Sequence, residues 1–168
     1  AGWTGTVGAG ASANNWRTVT TPPDTAPITA FVPDPSTVHD VRLDTPVFTV
    51  LGSGAQLSFR NNYNTEPGFD GGVLEISINA GAFTDILAAG GSFVSGGYNR
   101  TLSTGFSNPL PGRQAWSANS NGYITTGANL PAAAAGQNIQ LRWRFGADNS
   151  VSGTGWRVDT ISVSSGFI

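Results

Sequence analysis

Apolar and polar residues alternate with a period of two in several short stretches, the pattern of strands with one buried face. In Ala55–Asn61, Leu57 and Phe59 point one way, and Gln56, Ser58 and Arg60 point the other. In Gly72–Ile78, Leu74, Ile76 and Ile78 share a face, and Glu75 falls on the polar one. In Asn138–Gly146, Ile139, Leu141, Trp143 and Phe145 alternate with Gln140, Arg142 and Arg144. Shorter candidates are Val47–Leu51, Phe83–Leu87, Gly97–Ser103, Arg113–Ser117, Gly122–Thr126 and Gly155–Ser164. Turn residues separate them at Gly52-Ser53-Gly54, Pro67-Gly68, Gly90-Gly91, Asn108-Pro109 and Ser120-Asn121-Gly122. The one helix-like run, Pro131 to Gly136, fits a single short turn. Roughly eight to ten short strands of this kind predict an all-β fold, an antiparallel two-sheet β-sandwich or jelly roll.

Residues 1–32 read differently. Pro22, Pro23 and Pro27 exclude a central strand or a helix interior, so this part is expected to be an edge segment with a strand at Ile28–Val32. Residues 33–168 form the jelly-roll body, and the whole chain of 168 residues makes one domain. The chain starts at Ala1, which reads as a mature or excised piece.

Composition narrows the function classes. All 8 positive charges are Arg, and the formal net charge is -2. That excludes a nucleic-acid footprint built on a basic patch. No apolar run approaches the length of a membrane span. There is no Cys, hence neither a disulfide framework nor a thiolate metal site. One His, two Glu and no Lys leave few groups for acid/base or nucleophilic chemistry. Gly8-Ala9-Gly10-Ala11-Ser12-Ala13 matches a dinucleotide fingerprint, but no strand-helix-strand unit surrounds it.

The order of motifs is informative. Leu57-Ser58-Phe59-Arg60-Asn61-Asn62-Tyr63-Asn64-Thr65-Glu66-Pro67-Gly68-Phe69-Asp70-Gly71-Gly72-Val73-Leu74-Glu75-Ile76-Ser77 is followed by Arg113-Gln114-Ala115-Trp116-Ser117 and Leu141-Arg142-Trp143-Arg144-Phe145. The run closes with Gly155-Trp156-Arg157-Val158-Asp159-Thr160-Ile161-Ser162-Val163. This resembles the MAM-like jelly-roll modules of secreted bacterial proteins, in particular the accessory domain of immune-inhibitor-A-like metallopeptidases. The resemblance spans Pro33 to Val163. It departs at Asn64, where an acidic residue is common, and at Thr160, which replaces a second Asp. It implies a non-catalytic, extracellular module of a larger secreted protein, with neighbouring domains as partners.

Candidate chemistry centres on carboxylates. In a regular last strand, Asp159 shares a face with Ile161 and Val163, which turns a charge toward the core. One reading makes it a ligand of a structural calcium ion, with Glu66 and Asp70 as co-ligands from the Pro-Gly turn. The other makes it a paired carboxylate, held by an Arg or by backbone N–H groups, and a bulge would remove the problem. Asp148-Asn149-Ser150-Val151-Ser152-Gly153 is a less complete calcium pattern, with Asp148 as its one acidic ligand before Asp159.

A second candidate is a glycan or protein ligand site. Tyr98, Trp116 and Tyr123 lie near Arg113 and Asn121, an aromatic, amide and guanidinium set suited to a shallow polar ligand. The same aromatics also suit loop packing. Trp156 is expected half exposed, His39 in a surface or packing loop, and Glu75 on a solvated face. An unconventional carboxylate-pair hydrolase is the third possibility.

Overall fold

In the computed structural model, residues 2–10 and 12–164 are described. Two antiparallel sheets face each other. The first runs β1 (Thr4–Ala9), β4 (His39–Asp44), β13 (Asn138–Ala147), β7 (Gly71–Ile78) and β8 (Thr84–Asp85), with β5 (Phe48–Thr49) also on β13. The second runs β2 (Arg17–Val19), β3 (Thr29–Val32), β14 (Gly155–Ser164), β6 (Gln56–Asn64), β12 (Ile124–Asn129) and β9 (Ser92–Ser95). A separate ribbon pairs β10 (Arg100–Thr101) with β11 (Gln114–Ala115). The helical turn expected near Pro131 is a 3₁₀ turn at Ala132–Ala134. No described helix is long and apolar enough to cross a membrane.

Alternation sets the register, because a slip of one residue would turn the whole apolar set outward. On β13, Leu141, Trp143 and Phe145 point inward, and Trp143 stands opposite Leu43 on β4 and Leu74 on β7. From the second sheet, Leu57, Phe59, Tyr63, Trp156 and Val158 meet them. Phe59 sits edge-on to both Trp143 and Trp116, at ring separations of 5.4 and 5.7 Å. Gly72 allows Trp156 to lie against the first sheet, since a Cβ there would meet the indole ring at 2.4 Å.

The buried polar groups of the core satisfy one another. The Trp156 indole N–H donates to Asn61 Oδ1 (2.7 Å), and Asn61 Nδ2 donates to Thr126 Oγ1 (3.0 Å). Thr126 Oγ1 and the Trp116 indole N–H both donate to the Gly96 carbonyl. Such a chain fixes ring orientations as well as burying them.

Four strands escape the sequence pattern: β1, β2, β4 and β9. β1 and β2 lie at sheet edges with most of their residues exposed, so neither face needs apolar side chains. β3 is not an edge strand, because it lies between β2 and β14. Trp156 is buried, not half exposed, and the cause is a bulge. The β14–β6 register shifts between Asp159 and Ser162, where Thr160 adopts φ 47°. The extra residue reverses the inward parity along the strand, so Trp156 and Val158 face the core before the shift.

Two further expectations are corrected. His39 opens β4 and is fully buried rather than lying in a surface loop. Glu75 is buried too, because the 98–115 segment covers the outer face of β7, where Val73 packs with Leu102, Leu110 and Ala115.

Candidate metal centre

Three chain connections converge at one end of the sandwich. The β3–β4 connection carries Asp34 between Pro33 and Pro35, which hold its backbone extended. The β6–β7 turn carries Glu66 and Asp70. The β13–β14 loop starts with Asp148. Gly153 lets this last loop press onto the β6 end, since a Cβ there would lie 2.2 Å from the Asn64 carbonyl.

Asp34, Asp70 and Asp148 are each fixed through one oxygen. Asp34 Oδ2 accepts from the N–H of Gly153 (2.8 Å) and of Glu66 (3.3 Å). Asp70 Oδ1 accepts from the Asp148 N–H (2.6 Å), and Asp148 Oδ1 from the Ser150 N–H (2.8 Å) and hydroxyl. The turn beneath is tied by Thr65 and Ser117, whose hydroxyls donate to the carbonyls of Asp70 and Glu66.

The second oxygens are the unusual feature. Asp34 Oδ1, Glu66 Oε2, Asp70 Oδ2 and Asp148 Oδ2 are all buried without a hydrogen-bond partner. One oxygen each from Glu66, Asp70 and Asp148 lies within 4.8 Å of the others. Asp34 and Asp70 are neighbours that can hydrogen-bond to each other only when one of them is protonated, so as two carboxylates they leave Asp34 Oδ1 and Asp70 Oδ2 without a donor. Among the described residues, none of the ion pairs reaches these four acids.

The electrostatic consequence is severe. Burial, and then the neighbouring charge of Asp34, push the Asp70 carboxyl up to about 9. Burial also raises Asp34 and Glu66 above the usual carboxylate range, with the charge of Asp148 adding to both. A cluster this crowded either holds protons or takes a cation. The donor set is all oxygen, with neither His nor Cys, which suits a hard divalent ion such as calcium.

Asp159 does not join this cluster. Its Oδ2 accepts from the N–H groups of Asp24 (2.9 Å) and Thr25 (3.2 Å), and its Oδ1 from Thr160 N–H (2.7 Å). The bulge turns it out of the core, so it is a carboxylate that pins the Asp24–Thr25 segment. Asp34, which sequence reasoning passed over, lies beside Asp70 at the edge of the cluster. Its signal was the Pro-Asp-Pro context, which presents an acid from a stiff loop.

The aromatic ligand set is also redistributed. Trp116 is completely buried, and Tyr98 packs on it at 4.8 Å with its hydroxyl on the Leu74 backbone. The Tyr123 hydroxyl donates to the Pro22 carbonyl (2.9 Å). Arg113 is paired with Glu75 and Asp85. Asn121 sits in an exposed turn at φ 57°. Packing, ion pairing and hydrogen bonds occupy Tyr98, Trp116, Arg113 and Tyr123, while Asn121 stands apart in its exposed turn.

No protein-family model and no curated protein matches the chain in sequence. Solved structures match in fold. TmCBM61, in complex with β-1,4-galactotriose, aligns over 98% of this chain and 88% of its own, at 8% identity and a TM-score of 0.59. The K1 cleaved adhesin domain of Lys-gingipain from Porphyromonas gingivalis W83 aligns over 98% and 91%, at 14% identity and 0.59. The K2 adhesin domain of the same protein aligns over 99% and 90%, at 16% and 0.54. The chain shares their β-sandwich fold.

Proposed function

We propose that the chain is a non-catalytic, extracellular binding module whose loop end is locked by one structural calcium ion. The observation that carries this reading is the set of four buried, unpartnered carboxylate oxygens from Asp34, Glu66, Asp70 and Asp148. An ion held by Glu66, Asp70 and Asp148 joins two connections that are far apart in sequence, with Asp34 from a third lying beside Asp70. Its role is to fix the loops, since Asp70 and Asp148 are buried away from solvent. The motif order from Leu57 to Val163 supports kinship with MAM-like modules of secreted proteins. The fold shared with an adhesin domain and a carbohydrate-binding module supports a glycan or protein as the ligand.

The test is a thermal melt of chelator-treated protein, repeated with calcium and with magnesium. A ligand of the native state raises stability by mass action. Calcium should raise the melting temperature strongly and magnesium less, because magnesium demands a tighter octahedral shell. A melt unmoved by calcium, in protein free of metal by elemental analysis, would overturn the reading.

A further inference from the structure

Away from the carboxylate end, the long edge of the sandwich opens into a cleft of about 450 Å³ between β1 and the β2–β3–β14 side of the second sheet. That volume falls within the range of small-molecule sites, about 300–1,000 Å³. Its walls include Trp3, Trp16, Arg17, Ile28 and Thr160. The lining is mainly apolar. Its two charged groups, Arg17 and Asp159, balance.

Trp3 is 43% exposed, and its ring is backed by Trp143 at 5.7 Å. An indole held from behind and open in front is a stacking platform. Trp16 is the second wall, buried against Trp156 at 5.2 Å. Its indole N–H is buried without a hydrogen-bond partner, although an indole nitrogen can only donate. Leaving such a donor unsatisfied is costly, and the nitrogen lies beneath the cleft wall rather than on its surface. Arg17, exposed and resting over Phe31 at 5.1 Å, adds further donors at the rim. The bulge at Thr160 shapes the opposite wall, and Asp159 is already occupied by backbone N–H groups.

From this geometry we infer that the cleft binds a neutral pyranose unit of a glycan. The ligand must offer an apolar face to Trp3 and oxygen acceptors to Arg17. It must also carry no net charge, since the lining has none. A sugar ring meets all three conditions, with its C–H face on one side and hydroxyl and ring oxygens at its edge. The inference deepens the binding-module reading and rests on it, but it does not depend on the calcium ion.

The experiment is calorimetric titration of the calcium-loaded chain with soluble β-1,4-linked oligosaccharides of galactose, glucose, xylose, mannose and N-acetylglucosamine. Wild type, Trp3→Ala and Trp16→Phe are compared, with indole N–H spectra of the wild type as an independent readout. At least one sugar should bind and shift the Trp3 and Trp16 indole signals. Trp3→Ala should weaken it about ten-fold or more, as the loss of a central aromatic contact does. Trp16→Phe should weaken it less. Sugar binding that leaves both indole signals and both variants unaffected would overturn the cleft and leave the binding module standing. Absence of binding across the series would overturn the inference, and so would self-association that Trp3→Ala abolishes without any sugar bound. The calcium-dependent melt tests the module itself.

Discussion

Two groups of carboxylates occupy this molecule and meet opposite fates. On the outer face of the first sheet, Asp40, Asp44, Glu75 and Asp85 are matched by Arg42, Arg113, Arg142 and Arg144. Arg144 and Arg142 grip Asp40 and Asp44 in two-pronged contacts of 2.7–2.9 Å, and Arg142 also stacks on Phe83. At the loop end, Asp34, Glu66, Asp70 and Asp148 gather with no arginine among them. The protein neutralises the first group internally. The second is complete only when positive charge arrives from outside, as protons or as a metal ion. A buried acid is therefore informative through its partners rather than through its burial.

The largest effect expected from this contrast is the response to calcium. At a concentration about a thousand times its Kd, the ion should add about 4 kcal/mol. For a domain of this size that is about 10 °C in melting temperature. Asp70→Asn should abolish the response, yet melt near or above the wild type in chelator, because it mimics the protonated carboxyl. A variant that still responds to calcium would break the comparison.

The next effect is pH dependence without metal. The folded state holds the Asp70 proton up to about 9, whereas the unfolded chain loses it near the ordinary value of 3.8. The native state therefore binds more protons across that window, and stability falls as pH rises through it. One proton sets a ceiling of about 1.4 kcal/mol per pH unit. Calcium bound at the cluster would displace the proton and flatten the slope, as should Asp70→Asn. Denaturant unfolding at several pH values, with chelator and with calcium, would expose a slope of the wrong sign.

Smaller changes sharpen the contrast from the other side. Asp40→Ala strips Arg42 of its partner and leaves Arg144 only Glu75 at 3.6 Å, and should cost about 1–3 kcal/mol while leaving the calcium response intact. Asp159→Asn should cost about 1 kcal/mol, the loss of charge-assisted bonds to Asp24 and Thr25, again with calcium unaffected. If Asp159→Asn removed the calcium response, the placement of Asp159 outside the site would be wrong. Both variants are read by thermal melts with and without the ion.

Much of the fold was legible because burial imposes a period. β6, β7, β13 and β14 are long strands with one face on the core, and their alternation survives in the sequence. β1 and β2 were not legible, because edge strands exposed on both faces leave no such trace. β4 does alternate, with Val41 and Leu43 inward and Asp40, Arg42 and Asp44 outward, but the preceding prolines drew the reading toward loop.

Three of the four acids at the carboxylate site were visible for local reasons. Glu66 and Asp70 share one turn, and Asp148 opens a loop rich in polar residues. Asp34 was hidden because its membership depends on two connections distant in sequence, the 65–70 turn and the 148–154 loop. Asp159 misled because strand phase assumes regularity, and a single residue at Thr160 breaks it. The Trp116 group misled in the opposite sense. Polar neighbours in sequence suggested a surface, while three-dimensional packing put Trp116 at the centre of the core.

The most direct test of the account is calorimetric titration of chelator-treated protein with calcium at pH 8, in two buffers of different ionisation heat. The account predicts one class of site and a heat that depends on the buffer, because the arriving ion expels a proton from Asp70. Absence of binding heat in metal-free protein, or binding that Asp70→Asn leaves unchanged, would contradict it.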